Sequence, residues 1–342
     1  MTVTIKDVAK KAGVSPSTVS RVLSNHPRIS KETSQKVKEI VEELGYHSNI
    51  MARGLISNKT YTLGMVLPRP AEELFQNHFF SESIRGITTQ ASRQGYDVLM
   101  TAGSSEQDEV EAVTRLVRGR RVDGIILLQS RKNDPIISFL QKEAFPFILI
   151  GHYGNEEILC VDNDNEQASY DATVHLISQG HERIGFVSGP TNLTVSDDRL
   201  KGYKKALSEH GLRMEPDWIV EGEFLQESGY RAMAFFMNLP ERPTALVVID
   251  DIVTFGILRG LTELGYKVPD DLSLVSFNNI ALSELSSPPL SSVDIGIYQL
   301  GYMASQLLIR HIDEDKPQQL RTIVPHKLIV RESSVNLKRN WS

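Results

Sequence analysis

The sequence predicts a small all-α helix-turn-helix head followed by an α/β body of two lobes, parallel sheets wrapped by helices. Three observations predict it. Residues 1–60 carry helical periodicity broken by a tight turn. From Thr62 onward, apolar runs alternate with amphipathic stretches. Charge also changes sign between the two parts. Residues 1–60 hold ten Lys and Arg against five Asp and Glu, a net +5, while the whole chain is −6 and the rest therefore −11. A basic head on an acidic body aims the head, and not the body, at a polyanion.

Composition sets the outer bounds. A chain of 342 residues is long enough for two or three domains. With 40% hydrophobic and 23% charged residues it is neither disordered nor fibrous. No run approaches the apolar length of a membrane span. The start, Met1 to Asp7, turns polar at once and carries no export core, so a cytoplasmic location is expected, nucleoid-associated when DNA is bound. A single cysteine, Cys160, excludes an internal disulfide or a zinc site built on cysteines. It fits a reducing compartment and reads as packing.

The head begins with a helix from Thr4 to Ala12. Ile5, Val8, Ala9 and Ala12 share one face, and Thr4 with Asp7 forms a carboxylate variant of the capping box. Gly13 breaks this helix. Ser15 and Pro16 start a second, as N-cap and first helical residue. Val19, Val22 and Leu23 turn inward, leaving Ser17, Thr18, Ser20 and Arg21 outside. A third helix runs from the N-cap Ser30 to Leu44 and ends at Gly45. Two short helices around a Gly-containing turn form a helix-turn-helix. The short polar side chains of the second helix let its start lie deep in a major groove. There Arg21 can reach guanine acceptors, and Ser17 and Ser20 can reach bases or phosphates.

The body shows strand patterns at Leu63–Leu67, Asp97–Met100, Gly124–Leu128 and Phe147–Ile150. Helical stretches lie between them near Phe79–Gln94, Asp108–Gly119 and Pro135–Glu143. The rhythm returns with strands at Arg183–Val187, Ala245–Ile249 and Leu272–Phe277. Its helices fall near Glu166–Gln179, Asp198–Glu209, Ser228–Met237 and Asp251–Leu264. Such alternation means parallel sheets covered by helices. Its length exceeds one doubly wound sheet, hence two lobes, with a ligand crevice expected at the strand C-terminal ends.

The motifs Thr4-Ile5-Lys6-Asp7-Val8-Ala9, Ala12-Gly13-Val14-Ser15 and Thr18-Val19-Ser20-Arg21-Val22-Leu23 resemble the DNA-binding head of the LacI/GalR family of bacterial transcription regulators. The resemblance continues through Gly45, Tyr46 and Asn49 to Leu55, which looks like the family's hinge helix. It implies a hinge that folds on operator DNA, with Leu55 wedged into the minor groove as architectural proteins do. Ile50, Met51, Ala52 and Leu55 can form a small apolar face with Arg53 beside phosphates. Gly54 disfavours helix by roughly 1 kcal/mol, which suits a helix formed only on DNA. The expected DNA-binding set is Thr4, Ser15, Pro16, Ser17, Thr18, Ser20, Arg21, Asn25, Asn49, Ala52, Arg53 and Leu55. In the family, the positions of Pro16 and Ser17 vary with operator sequence.

The body resembles a periplasmic sugar-binding protein, through Asn77 to Phe80, Ile84-Arg85-Gly86, Asp164-Asn165, Gly189-Pro190, Arg199 to Tyr203, Asp250-Asp251 and Phe277-Asn278-Asn279. The resemblance covers about residues 3 to 333. It implies a head over 1–46 and a hinge and linker over 47–60. The first lobe would be 61–161 plus about 290–320, the second 162–289 plus about 321–333, and the tail 334–342. The chain would then cross between lobes near 161, 290 and 320.

For the effector, the resemblance implies Arg199 as the ligand-gripping residue, Asp250 as a polar contact and Phe224 as a stacking aromatic. Phe79 and Phe80 would border the cleft. Asn278 stands where the family more often has Asp, keeping an acceptor and removing a charge. Ser276, Asn278 and Asn279 together resemble the maltose-operon regulators of Gram-positive bacteria. The expected function is sequence-specific repression of carbohydrate-utilisation genes, relieved when a small sugar such as maltose or a related α-glucoside binds. Another sugar, a sugar phosphate or a co-repressor fits the same residues. The expected partners are double-stranded operator DNA, a sugar effector and a second copy in a homodimer, with no membrane, cofactor or metal. No Gly-rich nucleotide loop, nucleophile elbow or spaced His pair is present, so an enzyme is not expected. A transport protein would carry an export signal and lack the basic head.

Overall fold

The computed structural model describes residues 3–23, 28–46, 59–67, 77–154, 158–314 and 319–335. The hinge expected over 47–60 therefore lies outside them apart from its last two residues. So do Asn25, Asn49, Ala52, Arg53, Leu55 and nearly all of the tail. The chain divides into two compact units, Met1–Tyr61 and Thr62–Ser342.

The first unit holds three helices, α1 (Ile5–Ala12), α2 (Pro16–Leu23) and α3 (Lys31–Glu43). Val8, Ala9, Ala12, Val19, Val22 and Val37 form its buried core, with Ile5, Val14, Leu23, Ile40 and Leu44 packed around it. Gly13 closes α1 at φ +71°, a left-handed cap that turns the chain in three residues toward α2. Ser30 caps α3, its hydroxyl accepting from the Thr33 N–H at 3.2 Å.

The second unit contains two sheets. The first is built from β1 (Thr62–Leu67), β2 (Asp97–Ala102), β3 (Gly124–Leu127), β4 (Phe147–Ile150), β5 (Cys160–Asp162) and β11 (Arg321–Ile323). The second uses β6 (Ile184–Ser188), β7 (Ile219–Glu221), β8 (Ala245–Val248), β9 (Ser273–Phe277), β10 (Ser291–Asp294) and β12 (Lys327–Ile329). Their orders, β2-β1-β3-β4-β5-β11 and β7-β6-β8-β9-β10-β12, are the same winding twice. Every pairing is parallel except β10 with β12. In each sheet the last strand comes from the far end of the chain.

The helices are α4 (His78–Arg93), α5 (Glu106–Arg118), α6 (Pro135–Lys142), α7 (Asn165–Ser178), α8 (Thr194–Glu209), α9 (Gln226–Met237), α10 (Asp251–Glu263), α11 (Ala281–Leu285) and α12 (Ile297–Glu314). Helix α12 has no counterpart among the sequence expectations. Its inward face includes Gly301, Ala304 and Ser305 beside Leu300 and Leu308, so small residues dilute the apolar period. Helix α8 begins at Thr194, four residues before the expected Asp198, because the polar Ser196 is buried. The three-residue strands β5, β7, β11 and β12 are too brief for alternation to mark, and β10, Ser-Ser-Val-Asp, carries no apolar run.

Two expected crossings move. Residues 291–294 belong to the second sheet, so the second crossing falls at 295–296 and not near 290. Residues 321–323 pair with β5 in the first sheet, so the third falls at 324–326 and not near 320. The first follows Asp162, next to the expected 161.

Helix α12 meets α4 glycine against backbone. A Cβ on Gly301 would lie 2.1 Å from the Ser83 carbonyl oxygen, and one on Gly86 would lie 2.2 Å from that of Tyr298. Gly301→Ala gains up to about 1 kcal/mol of helix propensity, but forces the helices apart. We expect a net loss of about 1–3 kcal/mol in a denaturant titration, since overpacking of this kind is costly. An unchanged midpoint would show the crossing to be looser than these distances state.

Candidate functional site

In the head, Ser15 precedes α2, and its hydroxyl accepts from the Thr18 N–H at 3.1 Å. The same oxygen lies 2.7 Å from Ser17 Oγ and 2.9 Å from Thr18 Oγ1. Pro16, Ser17 and Arg21 are exposed, and Thr18 and Ser20 half-buried. Opposite them, Val19 and Val22 enter the core. The first turn of α2 thus offers a hydroxyl cluster with one guanidinium a turn later. Thr4 is exposed, and both its N–H and its hydroxyl donate to Asp7, at 2.9 and 2.7 Å. Those hydrogen bonds hold the Asp7 carboxyl below its ordinary range.

In the second unit, the C-terminal ends of both sheets open onto one cleft of about 780 Å³ including its mouth. Phe79, Phe80, Arg199, Phe224, Asp250 and Asn278 all line it. They come from distant parts of the chain, and the parallel winding places the ends of β8 and β9 side by side.

Arg199 is buried at the cleft floor, 3% exposed. Its Nε donates to Asn165 Oδ1 at 3.0 Å and its Nη1 to the Ile249 carbonyl at 2.6 Å. The guanidinium lies 4.0 Å from the centre of the Phe277 ring. Burial lowers its pKa to about 10, against the pull of Asp250, Asp162, Asp251 and Asp198. It therefore remains a cation at neutral pH.

Asp250 does two things at once. Oδ1 caps α10 by accepting from the Ile252 N–H at 2.7 Å, and Oδ2 accepts from Asn278 Nδ2 at 2.6 Å. Asn278 sits at φ +96° and Asn279 at φ +45°, left-handed positions that Asn tolerates better than most residues. Asn279 is a brace behind the cleft. Its Nδ2 donates to Asp294 at 3.2 Å, and its Oδ1 accepts from Arg331 at 2.9 Å. The aromatic walls also have structural anchors. Phe79 and Phe80 meet edge to face at 5.3 Å. The Phe224 ring packs so closely on Gly189 that a Cβ there would lie 2.7 Å from it.

Sequence reasoning missed His152, Ser130, Asp162 and Asn163, which line the same cleft, and gave Asp198 no role in it. The available signal was position: His152 and Asn163 follow a buried strand, as Asp250 and Asn278 do, and Asp162 ends one. His152 follows β4 in the first lobe, and its Nε2 lies 2.5 Å from Asp198 Oδ2 on α8 of the second. Beside this pair, the Lys132 N–H donates to the Asn192 carbonyl at 2.8 Å and the Thr194 N–H to the Ser130 carbonyl at 3.2 Å. The lobes therefore touch across one side of the cleft. The hydrogen bond to Asp198 raises the His152 pKa against burial. Burial pushes Asp198 up, but hydrogen bonds from His152 and Lys201 more than offset it, leaving it low. His152 Nδ1 is buried with no protein partner in the structure. Cys160, by contrast, lies buried in the sheet, its thiol pushed up to about 11 by burial, which makes it a poor nucleophile. Among the described residues, no group of His, Cys, Asp and Glu is placed to hold a metal ion, and no helix is long and apolar enough to cross a membrane.

A helix-turn-helix unit joined to a two-sheet body with a cleft at its strand ends defines a class, the DNA-binding transcriptional regulators with a body like that of periplasmic binding proteins. Residues 4–49 match the model of the bacterial regulatory proteins of the lacI family, and residues 173–334 match a periplasmic binding protein-like domain. The chain is 36% identical to the HTH-type transcriptional regulator MalR of Streptococcus pneumoniae, across 96% of this chain and 99% of that protein. Its fold is similar to that of the regulator CelR in complex with cellobiose, at a TM-score of 0.76 and 29% identity over 97% of this chain and 99% of that one. The lac repressor dimer bound to operator and an anti-inducer gives a TM-score of 0.84 at 25% identity, over 98% and 100% of the two chains. The chain belongs to the lacI family, and it is a DNA-binding transcriptional regulator.

Because pairing raises the His152 pKa, the pair's stabilisation is complete below pH about 6.5, the unpaired value, and is lost as pH rises through the raised one. It falls away again only where Asp198 takes up a proton, below the ordinary carboxylate range. The melting-temperature gap between the wild type and Asp198→Asn is thus expected to be widest near pH 6 and to shrink toward pH 9. A gap constant with pH would show that His152 is not charged in the pair.

Proposed function

We propose that the protein represses carbohydrate-utilisation genes from a palindromic operator and releases it when a neutral disaccharide of the maltose class enters the cleft. The observation that carries this reading is the convergence of all six expected effector residues on one cavity with aromatic walls and a polar floor. Phe79 and Phe224 face the C–H surface of the sugar. Arg199, Asp250 and Asn278 bond its hydroxyls, with the charge-assisted bonds the stronger ones. His152 Nδ1 takes a further hydroxyl. A neutral ligand is favoured over a phosphorylated one, because Asp162, Asp198 and Asp250 border the site. Its two basic side chains, Arg199 and His152, already have protein partners. The cellobiose complex of the related fold agrees with an uncharged disaccharide.

At the other end, Pro16, Ser17 and Thr18 at the start of α2, with Ser20 and Arg21, read the major groove. Thr4 and Ser15 meet phosphates. Asn25, Asn49, Ala52, Arg53 and Leu55 complete the set at the groove edge and in the hinge. Two copies face the two half-sites, as in the operator-bound lac repressor dimer. Sugar and operator bind reciprocally, each weakening the other by one factor.

Fluorescence anisotropy on DNA from the gene's own neighbourhood tests both ends. Maltose should weaken operator binding by roughly 5- to 150-fold, the usual span of allosteric coupling, and glucose 6-phosphate should have no effect. If no sugar changes the affinity, the effector reading fails. Arg21→Ala should cost about 1–3 kcal/mol on the operator and much less on random DNA. Equal loss on both would reduce Arg21 to a phosphate contact.

A further inference from the structure

The three crossings between the lobes meet at one side chain. Asn163 lies in the first crossing, between β5 and α7, and is 3% exposed. Its Nδ2 donates to the Ile295 carbonyl in the second crossing at 2.9 Å. It also donates to the Val324 carbonyl in the third at 2.8 Å. Those partners stand 132 and 161 positions away along the chain. A primary amide carries two N–H donors, and both are spent here. The neighbouring residues tie this point to the cleft. Asp162 Oδ1 accepts from the Asn163 N–H at 2.8 Å and from Asn165 Nδ2 at 3.2 Å. Asn165 Oδ1 accepts from Arg199. On the far side, Asp162 Oδ2 accepts from Arg321 at 3.0 Å, and the Asp162 carbonyl from the Val324 N–H at 2.8 Å.

We propose that Asn163 is the hinge pin of the body, a positioning residue that makes the three crossings turn as one axis and so transmits ligand binding to the operator-binding end. The inference rests on the ligand-responsive reading above and adds to it the residue on which the response depends. The physical reason is geometric. Three separate strands joining two lobes can twist independently, and a ligand's closing force then dissipates as local twist. One amide holding the second and third strands to the first leaves a single rotation, which carries the whole differential binding energy of the ligand. Asn supplies this where Asp cannot, because a carboxylate would set acceptors against two carbonyls. Ser can supply one donor of the two, and Ala none.

The test uses the full-length chain in four forms: the parent, Asn163→Ala, Asn163→Ser, and Ser283→Ala as a control. Ser283 donates to Asp251 inside the second lobe, so its loss removes a buried hydrogen bond that touches no crossing. The first readout is the ratio of operator affinities without and with saturating maltose, which reports the coupling and not the sugar affinity of each form. N163A should lower that ratio at least about fivefold while binding operator in the absence of sugar nearly as tightly as the parent. N163S should fall between, and S283A should lose thermal stability yet keep the parent ratio. A parent-like ratio in N163A overturns the pin. The second readout is amide hydrogen exchange without any ligand. N163A should speed exchange of the amides of residues 295–297 and of Val324 and His326 together by at least about tenfold, with S283A unchanged there. Parent rates at both crossings overturn the pin by themselves. A parent chain that ignores maltose defeats the effector reading instead, and leaves the exchange experiment to decide on Asn163.

Discussion

The body is organised around a guanidinium almost wholly withdrawn from water. Removing a full charge from solvent is expensive unless it is paired and hydrogen-bonded. Around Arg199 the fold supplies a carbonyl, an amide oxygen, an aromatic face and four carboxylates within electrostatic reach. These groups come from the C-terminal ends of the central strands β8 and β9, from the end of β5, and from α7, α10 and α8 itself. They can surround Arg199 only if β8, β9 and α7 are in register. The polar floor of the cleft is thus also a checkpoint on the packing of the whole second lobe. It explains why Asp250 is at once a helix cap and a cleft wall: with so little space, each carboxylate serves more than one donor.

Much of this was legible in the amino-acid order. The head was read correctly because short helices with caps announce themselves: Thr4 with Asp7, Ser15 before Pro16 and Ser30 all stand where helices begin. Buried parallel strands such as Leu63–Leu67 and Ala245–Val248 were visible as apolar runs. Helix α12 was not, since close helix contact demands Gly301 and Ser305 where a pattern search wants Leu. Three-residue strands such as β11 and β12 cannot show alternation at all, so the crossings rested on the resemblance alone, and two of them lie several residues further on. In the cleft, the motif residues lie together as lining, and the cross-lobe residues were not foreseen. His152 and Asp198 become partners only through the folding of two lobes, which no local spacing records.

Both classes of residue have the same origin. A side chain just past the end of a buried strand must either be polar or find an apolar cover. In this chain His152, Asn163, Asp250 and Asn278 all occupy that place, and Asp162 ends its strand. Read that way, the cleft is where two parallel sheets bring their unfinished backbone ends together, and its chemistry follows from the winding. The contacts across its rim, from Ser130 and Lys132 to Asn192 and Thr194, are backbone bonds that do not depend on side-chain identity. Specificity is therefore left to the few side chains between them.

The exchange of final strands has a consequence for the chain as it is made. The first lobe lacks β11 and α12 until residue 323 has emerged from the ribosome, by which time all of the second lobe except β12 has been made. Until then β5 presents an open edge, and β3, β4 and β5 lack the helix that packs on them. Nascent chains in that state are a natural substrate for chaperones that shield exposed strands. Premature termination anywhere before this point leaves both lobes incomplete at once, so no shortened product keeps a working half.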